Sequence, residues 1–324
     1  MKKIFAFISL AAVAAVIAVS CNTKDKKDSS ADTLPTPSLE KYSFKVNFNE
    51  PRPEIPLPNV KPDGNHFNGN AELSGDAHTG KLVGLEAMND GTWNADIKAK
   101  DSEENESDFN FSGKFDVQGK KVSVGDILTL AQFGTLEIKS LNGSSISFSF
   151  TPLGGGSPIT LDGMLVSELN ADSSLLADIA RGWKVEKTFV TVKSDALPAG
   201  GIGGEYSGCD IPKIAKDLKE KGLKIDDRKV SYKVTGISLS KFGTIRIYLS
   251  NDDVIEGSIK SGISGGLFDY SFDVFDNDNP VLSANGNGTV KIVKSKLNLE
   301  LSGTLHDNEK KDYEAIVKFI LVYE

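Results

Sequence analysis

Short stretches in which apolar and polar residues alternate recur along most of this chain. Clear examples are Trp93–Ala99, Phe268–Val274 and Leu297–Leu301. Successive side chains of a strand point to opposite faces, so this alternation is typical of antiparallel strands with one buried face. Glycine, asparagine and aspartate separate the stretches, as in Asn89–Gly91 and Asn142–Gly143, and they favour tight hairpin turns. The pattern predicts an all-β fold.

A fifteen-residue phrase occurs twice, at Leu128–Asn142 and at Ile237–Asn251, with six identical positions that include a Phe-Gly-Thr triplet. We interpret this repeat as two related β units in tandem. The first unit is predicted over 66–168 and the second over 170–324. Each is expected to be an antiparallel β-barrel or sandwich, with one or two short helices in the chain. The phenylalanine of each copy is expected to point inward.

Residues 1–20 have the pattern of a secretory signal. Lysines precede the uncharged run Ile4–Val19, and Cys21 follows closely. The tetrad Ala18–Cys21 resembles the lipobox of bacterial lipoproteins, which implies that Cys21 is acylated and becomes the first mature residue. Asn22 resembles lipoproteins passed on to the outer membrane. The resemblance implies membrane attachment through acyl chains, with the periplasmic or surface-facing side left open. The alternative is an ordinary signal that is removed together with Cys21.

Residues 21–65 are polar, charged and rich in proline. Such a segment buries too little apolar surface to offset its ordering entropy, and proline stiffens it into a spacer. We expect an acylated tether that holds the folded part off the membrane. Within it, Tyr42–Phe48 alternates and is a candidate strand.

The formal net charge of the chain is −8. This charge argues against nucleic acid and against an anionic membrane surface as partners. The chain has two cysteines. If Cys21 is acylated, no internal disulfide is available, and Cys209 is expected to be a small buried apolar residue.

Two segments interrupt the strand pattern. Asp172–Gly182 predicts a short helix that Gly182 ends. The second segment, Ala199–Leu223, begins with flexible glycines and continues into an amphipathic helix over 210–222, capped by Asp210. The helix either packs flat against or inside the barrel, or acts as a lid hinged on the glycines. Its apolar stripe consists of Ile211, Ile214, Ala215 and Leu218.

The second unit resembles the lipocalin-like, or calycin-like, lipoproteins of Bacteroidetes-type bacteria, whose function is uncharacterised. Gly182–Trp183 at the start of a strand, the turn and strand Lys294–Leu301 and the final strand Tyr313–Tyr323 carry this resemblance. It implies a small antiparallel barrel with a central cavity. Ala315–Tyr323 is apolar on both faces, which favours an interior strand.

We therefore predict a membrane-tethered binding lipoprotein that captures a small apolar or amphipathic ligand in a β-barrel cavity. The alternative is a structural or protein-interaction lipoprotein without a small-molecule ligand. The candidate ligand-binding residues are Trp183, Tyr206, Cys209, Phe242 and Tyr248.

The sequence indicates no catalytic residue, metal site or cofactor. Gly262–Gly266 fits the Gly-Xaa-Ser-Xaa-Gly pattern, but strand patterns flank it on both sides, whereas a nucleophile elbow requires a helix after it. The three histidines, His66, His78 and His306, lack the spacing of a metal site. An enzyme is not expected, and hydrolysis of surface glycans is the weakest of the three functional classes.

Overall fold

A computed structural model describes residues 43–57, 67–68, 79–88, 91–100, 106–114, 123–130, 133–224, 232–250, 254–260, 262–276, 279–306 and 311–323. Its contacts divide the chain into two compact units, one ending at Glu168 and the other beginning at Leu169. Each unit is built on its own antiparallel sheet. The predicted all-β class with two tandem units is confirmed.

The described residues of the first unit form ten strands. They are β1 (Phe44–Phe48), β2 (Glu54–Pro56), β3 (Phe67–Asn68), β4 (Thr79–Ala87), β5 (Thr92–Lys100), β6 (Glu106–Lys114), β7 (Ile127–Leu130), β8 (Gly134–Asn142), β9 (Ser145–Pro152) and β10 (Ile159–Leu165).

In this sheet β1 lies between β4 and β10, so the first and last strands of the unit are neighbours. The order runs from β1 through β4, β5 and β6 on one side, and through β10, β9, β8 and β7 on the other. Phe133, just before β8, places its ring 4.7 Å from that of Phe111 on β6 and 6.2 Å from that of Trp93 on β5. The sheet therefore curves round on itself into a barrel-like shape around its core.

Residues 44–57 belong to this unit and correct the predicted tether over 21–65. Phe44, Val46 and Phe48 are buried in the core, and β1 pairs with strands on both sides. Ile55 of β2 is also buried. The alternation in Tyr42–Phe48 marks a central strand, because it supplies the inward row that the neighbouring strands need. The high proline content of this region favoured a tether. β2 is only three residues long, which is too short to give a recognisable strand pattern.

In the second unit, the part of the chain that the structure describes forms ten strands and two helices. The strands are β11 (Gly182–Lys193), β12 (Ile202–Ser207), β13 (Cys209–Asp210), β14 (Lys233–Leu239), β15 (Thr244–Leu249), β16 (Val254–Ile259), β17 (Leu267–Asp276), β18 (Asn279–Val293), β19 (Lys296–His306) and β20 (Asp312–Tyr323). The helices are α1 (Ser173–Ile179) and α2 (Ile211–Glu220).

Eight of these strands form a closed ring. From β14 to β20 each strand pairs with the next, β20 pairs with β11, and β11 pairs with β14 through Gly182–Lys184. β20 is therefore an interior strand of the sheet, as its apolar composition predicts. Its inner face is buried, whereas Ile316, Ile320 and Val322 on the outer face are only half-buried.

The helix ends follow local capping chemistry. The Asp172 side chain accepts hydrogen bonds from the backbone N–H groups of Ser174 and Leu175, which starts α1 as predicted. The predicted stop at Gly182 is wrong: α1 ends at Ile179, and Gly182 is already the first residue of β11. No helix in the described part of the chain is long and apolar enough to cross a membrane.

The two copies of the repeated phrase occupy different places in the two units. The first copy forms the hairpin β7–β8, which only two further strands follow. The second forms β14–β15, which five further strands follow. Phe133 is buried as expected, but Phe242 is only half-buried and lies outside the core. The phrase thus encodes a similar hairpin twice and does not mark equivalent positions of a duplicated unit.

Candidate functional site

The insertion predicted to carry recognition fills a gap in the wall of the second barrel. β11 pairs with β14 only at its first residues, and further along it pairs with β12, over Lys187–Val192. At the far end of β14, its partner is β13. The two walls therefore diverge, and β12, β13 and α2 occupy the space between them. The insertion therefore supplies pairing partners to β11 and β14 where these two strands no longer pair with each other.

Helix α2 packs as part of the core. Asp210 caps it by accepting a hydrogen bond from the N–H of Lys213, and Gly222 follows its last turn with a φ of +102°. The predicted apolar stripe is buried in the core of the second unit. Leu218, for example, is 0% exposed. These contacts favour the packed interpretation of the helix over the lid.

The glycines before α2 serve close packing. Gly201 and Gly203 have φ values of +81° and +148°, which favour glycine. A Cβ on Gly203 would lie 1.9 Å from the carbonyl oxygen of Val190, and a Cβ on Gly201 would lie 2.4 Å from that of Val192. These contacts weigh against the alternative of a lid hinged on these glycines, because the backbone here needs glycine to approach β11.

A hydrogen-bonded cluster ties α2 to β12. The Tyr206 hydroxyl donates to Asp217 Oδ2, and Lys221 Nζ contacts the same oxygen at 2.8 Å. Lys221 also donates to the carbonyl oxygen of Gly203, at 2.5 Å. Burial, and then the bond to Asp217, raise the pKa of Tyr206. The bonds from Lys221 and Tyr206 lower the pKa of Asp217. We name Tyr206, Asp217 and Lys221 the clamp.

Cys209 is buried on β13, opposite Val234. Burial raises its pKa to about 11. A thiol with a raised pKa carries little thiolate at neutral pH and is a poor nucleophile. Its surroundings fit the predicted small apolar residue.

Trp183 lies at the end of the second barrel where β11 pairs with β14. Its ring is buried, and Nε1 donates to the carbonyl oxygen of Ile179, at 2.9 Å. Arg181 lies over the rings of Trp183 and Tyr323, with its guanidinium carbon 5.9 Å and 4.9 Å from their centroids. Such cation–π contacts stabilise local packing. They join α1, β11 and β20.

The five candidate ligand residues do not line one site. Tyr206 and Cys209 lie together in the insertion, whereas Trp183 is the second residue of β11. Phe242 is at the tip of the β14–β15 hairpin. Tyr248 points away from the barrel core, with its hydroxyl oxygen 3.1 Å from Ser238 Oγ. This geometry does not support the prediction that these five residues contact the same ligand.

The interior of the second barrel holds aromatic residues that the candidate set lacks. Phe268, Tyr270 and Phe272 on β17 are buried, and each lies directly across from a glycine of a neighbouring strand. A Cβ on Gly288 would lie 2.2 Å from Phe268 Cζ, and one on Gly257 would lie 2.3 Å from Phe272 Cδ1. The rings therefore lie flat over the wall. The alternation in Phe268–Val274 predicts that these aromatic side chains point inward. That a glycine lies across from each of them follows only from the pairing of the strands.

The described residues provide no catalytic or metal site for the remaining candidates, the Gly262–Gly266 motif and the histidines. Gly262–Gly266 lies between β16 and β17, so a strand follows it where a nucleophile elbow needs a helix. His66 and His78 lie outside the described residues, as does Cys21. His306 is the last residue of β19. Among the described side chains, no group of three or more His, Cys, Asp or Glu could hold a metal ion.

Comparison with known proteins yields distant similarities of fold only. No protein-family model and no curated protein matches the chain. A double mutant of the vaccine antigen transferrin binding protein B from Haemophilus parasuis Hp5 aligns with 9% identity and a TM-score of 0.23, covering 76% of this chain and 55% of its own. The isotype 1 protein from serogroup B Neisseria meningitidis aligns with 8% identity and a TM-score of 0.22, covering 76% and 52%.

A protein of unknown function from Nostoc punctiforme PCC 73102, of the DUF3598 family, has 10% identity and a TM-score of 0.19, covering 84% of this chain and 96% of its own. The chain spans about half the length of the transferrin binding proteins it matches. At such TM-scores the similarities carry no argument about function. Membership in the lipocalin-like lipoproteins stays a prediction.

Proposed function

We propose that this protein is an outer-membrane lipoprotein, anchored through Cys21, that acts through the outer surfaces of its β units on macromolecular partners. The observation that carries the proposal is the occupation of the second barrel by its own side chains. Among the side chains that the structure describes, inward residues of its strands belong to one buried cluster, which also includes the apolar stripe of α2. A filled interior favours the interaction alternative over capture of a small ligand in a cavity.

The packing at β17 and β18 strengthens this choice. Tyr270 is 1% exposed, and its hydroxyl donates to the carbonyl oxygen of Ser302 at 3.2 Å, so the ring reaches across β18 to β19. A ligand in this part of the barrel would have to displace a ring that is already hydrogen-bonded. Displacement would also expose the backbone of Gly286, over which the ring lies.

The proposal is tested by asking whether the interior accepts an apolar molecule. The unacylated mature chain, residues 21–324 with Cys21→Ser, is titrated with N-phenylnaphthylamine and its fluorescence is followed. Organic extracts of the purified protein are examined by mass spectrometry for retained lipids. We expect no saturable uptake and no stoichiometric lipid.

The matched control is Phe268→Ala/Tyr270→Ala, which removes two rings from the interior. If it retains a native near-ultraviolet circular dichroism spectrum, we expect it to take up the probe, because apolar cavities bind apolar molecules. Stoichiometric probe or lipid in the unsubstituted interior would overturn the proposal in favour of ligand capture. Even if the control variant does not fold, the lipid extraction distinguishes an interior filled by side chains from one that holds a bound lipid.

A further inference from the structure

One outer face of the second barrel differs in charge from the chain as a whole. β18, β19, β20 and β11 are consecutive neighbours in the sheet. In register, Lys291 lies beside Asn298, Asn298 beside Ile320, and Ile320 beside Lys187. The next row contains Val293 beside Lys296, and Val322 beside Lys184. The outer face at the end of the β18–β19 hairpin, which we name the basic face, carries Lys184, Lys187, Lys291, Lys294, Lys296 and Lys318.

Fewer acidic groups accompany these lysines. Lys296 pairs with Glu186 at 2.5 Å, and Lys187 pairs with Glu205 at 2.6 Å. Glu300 lies beside Lys318 in the sheet. Among the residues that the structure describes, this face thus carries six lysines and three glutamates, on a chain whose formal net charge is −8. Net charge describes the whole chain, whereas a partner at this face responds to the local surplus of positive charge.

Apolar side chains lie among the lysines. Val293, at the hairpin end, is 41% exposed. Ile320, Val322 and Phe189 are half-buried on the outer surface of β20 and β11. An apolar residue at the tip with basic residues around it can insert at a lipid interface while the lysines contact phosphate groups.

The hairpin tip itself is strained. Lys294 and Ser295 have φ values of +51° and +61°. A two-residue turn with both φ values positive ordinarily contains asparagine and glycine, because other side chains crowd the backbone there. A lysine held in this conformation projects from the tip beside Val293. Backbone strain at an exposed tip points to a use for the side chains that it presents.

We infer that the basic face docks onto the phosphate-bearing headgroups of an anionic membrane surface, with Val293 entering the interface. The choice of a membrane as occupant rests on the proposed Cys21 anchor. Between Cys21 and the first described residue, Ser43, lie 21 residues, which reach at most about 75 Å when fully extended. An anchored chain of this length keeps a bilayer within reach of the folded units.

The test uses the unacylated mature chain, residues 21–324 with Cys21→Ser, so that neither the acyl chains nor the apolar run of the signal can contribute to binding. Its affinity for vesicles of phosphatidylcholine with phosphatidylglycerol is compared with that for phosphatidylcholine alone, by co-sedimentation at low and high salt. We expect binding to the anionic vesicles only, weakening as salt is added.

Two double substitutions with the same change in charge then locate the binding surface. Lys291→Glu/Lys294→Glu alters the basic face, and we expect roughly tenfold or greater loss of affinity. Lys213→Glu/Lys216→Glu alters exposed lysines of α2 and should leave affinity within about twofold. Val293→Ser, which keeps the charge, should also weaken binding because it removes the apolar contact. Unchanged melting temperatures show that the variants remain folded.

Equal losses in the two double variants would overturn the inference, since general charge would then explain binding. So would an absence of binding to anionic vesicles at low salt, which would leave an acidic protein as the partner for this face. Neither result bears on the anchor, which is tested separately by fractionation of the acylated protein.

Discussion

At the scale of single residues, the two phenylalanines of the repeated phrase have unequal roles. Phe133 is 4% exposed and makes edge-on contacts with the rings of Phe111 and Trp93. Phe242 is only half-buried in the β14–β15 turn. Sequence identity between the two copies therefore does not imply equal contributions to stability.

Alanine substitution should separate these two residues. We expect Phe133→Ala to lower the free energy of unfolding by about 3–5 kcal/mol, because it leaves a cavity among aromatic rings. Phe242→Ala should cost about 1 kcal/mol, because Phe242 is partly exposed and lies outside the buried core. Urea denaturation followed by circular dichroism measures both. Equal costs would contradict the assignment of the two hairpins to different environments.

At the scale of elements, the insertion connects the diverging walls of β11 and β14. The buried stripe of α2 attaches it to the core, and the clamp attaches it to β12. The clamp also makes this attachment depend on pH. The folded-state pKa of Asp217 lies below its ordinary value of 3.8, so its bonds stabilise the folded state above that pH.

Acidification should therefore weaken the clamp. As pH falls through about 4 and lower, Asp217 becomes protonated and its stabilising contribution is lost. Asp217→Asn should lower the melting temperature at pH 7 and reduce the dependence of that temperature on pH below 4. Lys216→Gln, on the same helix but outside the clamp, is the control. If the variant and the original chain lose stability in parallel as pH falls, Asp217 is not responsible.

At the scale of the whole molecule, the proposed function combines a lipid anchor with two barrel-like units whose interiors are packed. The anchor is proposed from the tetrad that ends at Cys21. More than one acyl chain on a single residue gives stable membrane attachment.

Fractionation tests this anchor. In a bacterium that processes lipoproteins, the original protein should sediment with the outer membrane and incorporate labelled palmitate. Cys21→Ser should incorporate no label and move largely into the soluble fraction. Because the basic face is expected to bind reversibly and to weaken with salt, the fractions are washed at high salt. Labelled palmitate on Cys21→Ser, or no label on the original protein, would show that Cys21 is not the anchor.

The sequence by itself determined the strand class, the caps that start α1 and α2, and the apolar stripe of α2. These features depend on neighbours within a few residues: alternation along a strand, a side-chain oxygen near free N–H groups, and the helical repeat. It also indicated inward aromatics on β17, because alternate residues share one face.

Only the tertiary structure decided which strands become neighbours. The pairing of β1 with β10 converts a segment predicted as tether into a central strand, and the pairing of β11 with β14 closes the second barrel. In the sequence, Gly201 and Gly203 are compatible with a hinge. In the structure, carbonyl groups of β11 pack closely against them. The five candidate ligand residues separate for the same reason. Contacts between residues far apart in the chain depend on strand pairing, which alternation along one strand does not encode.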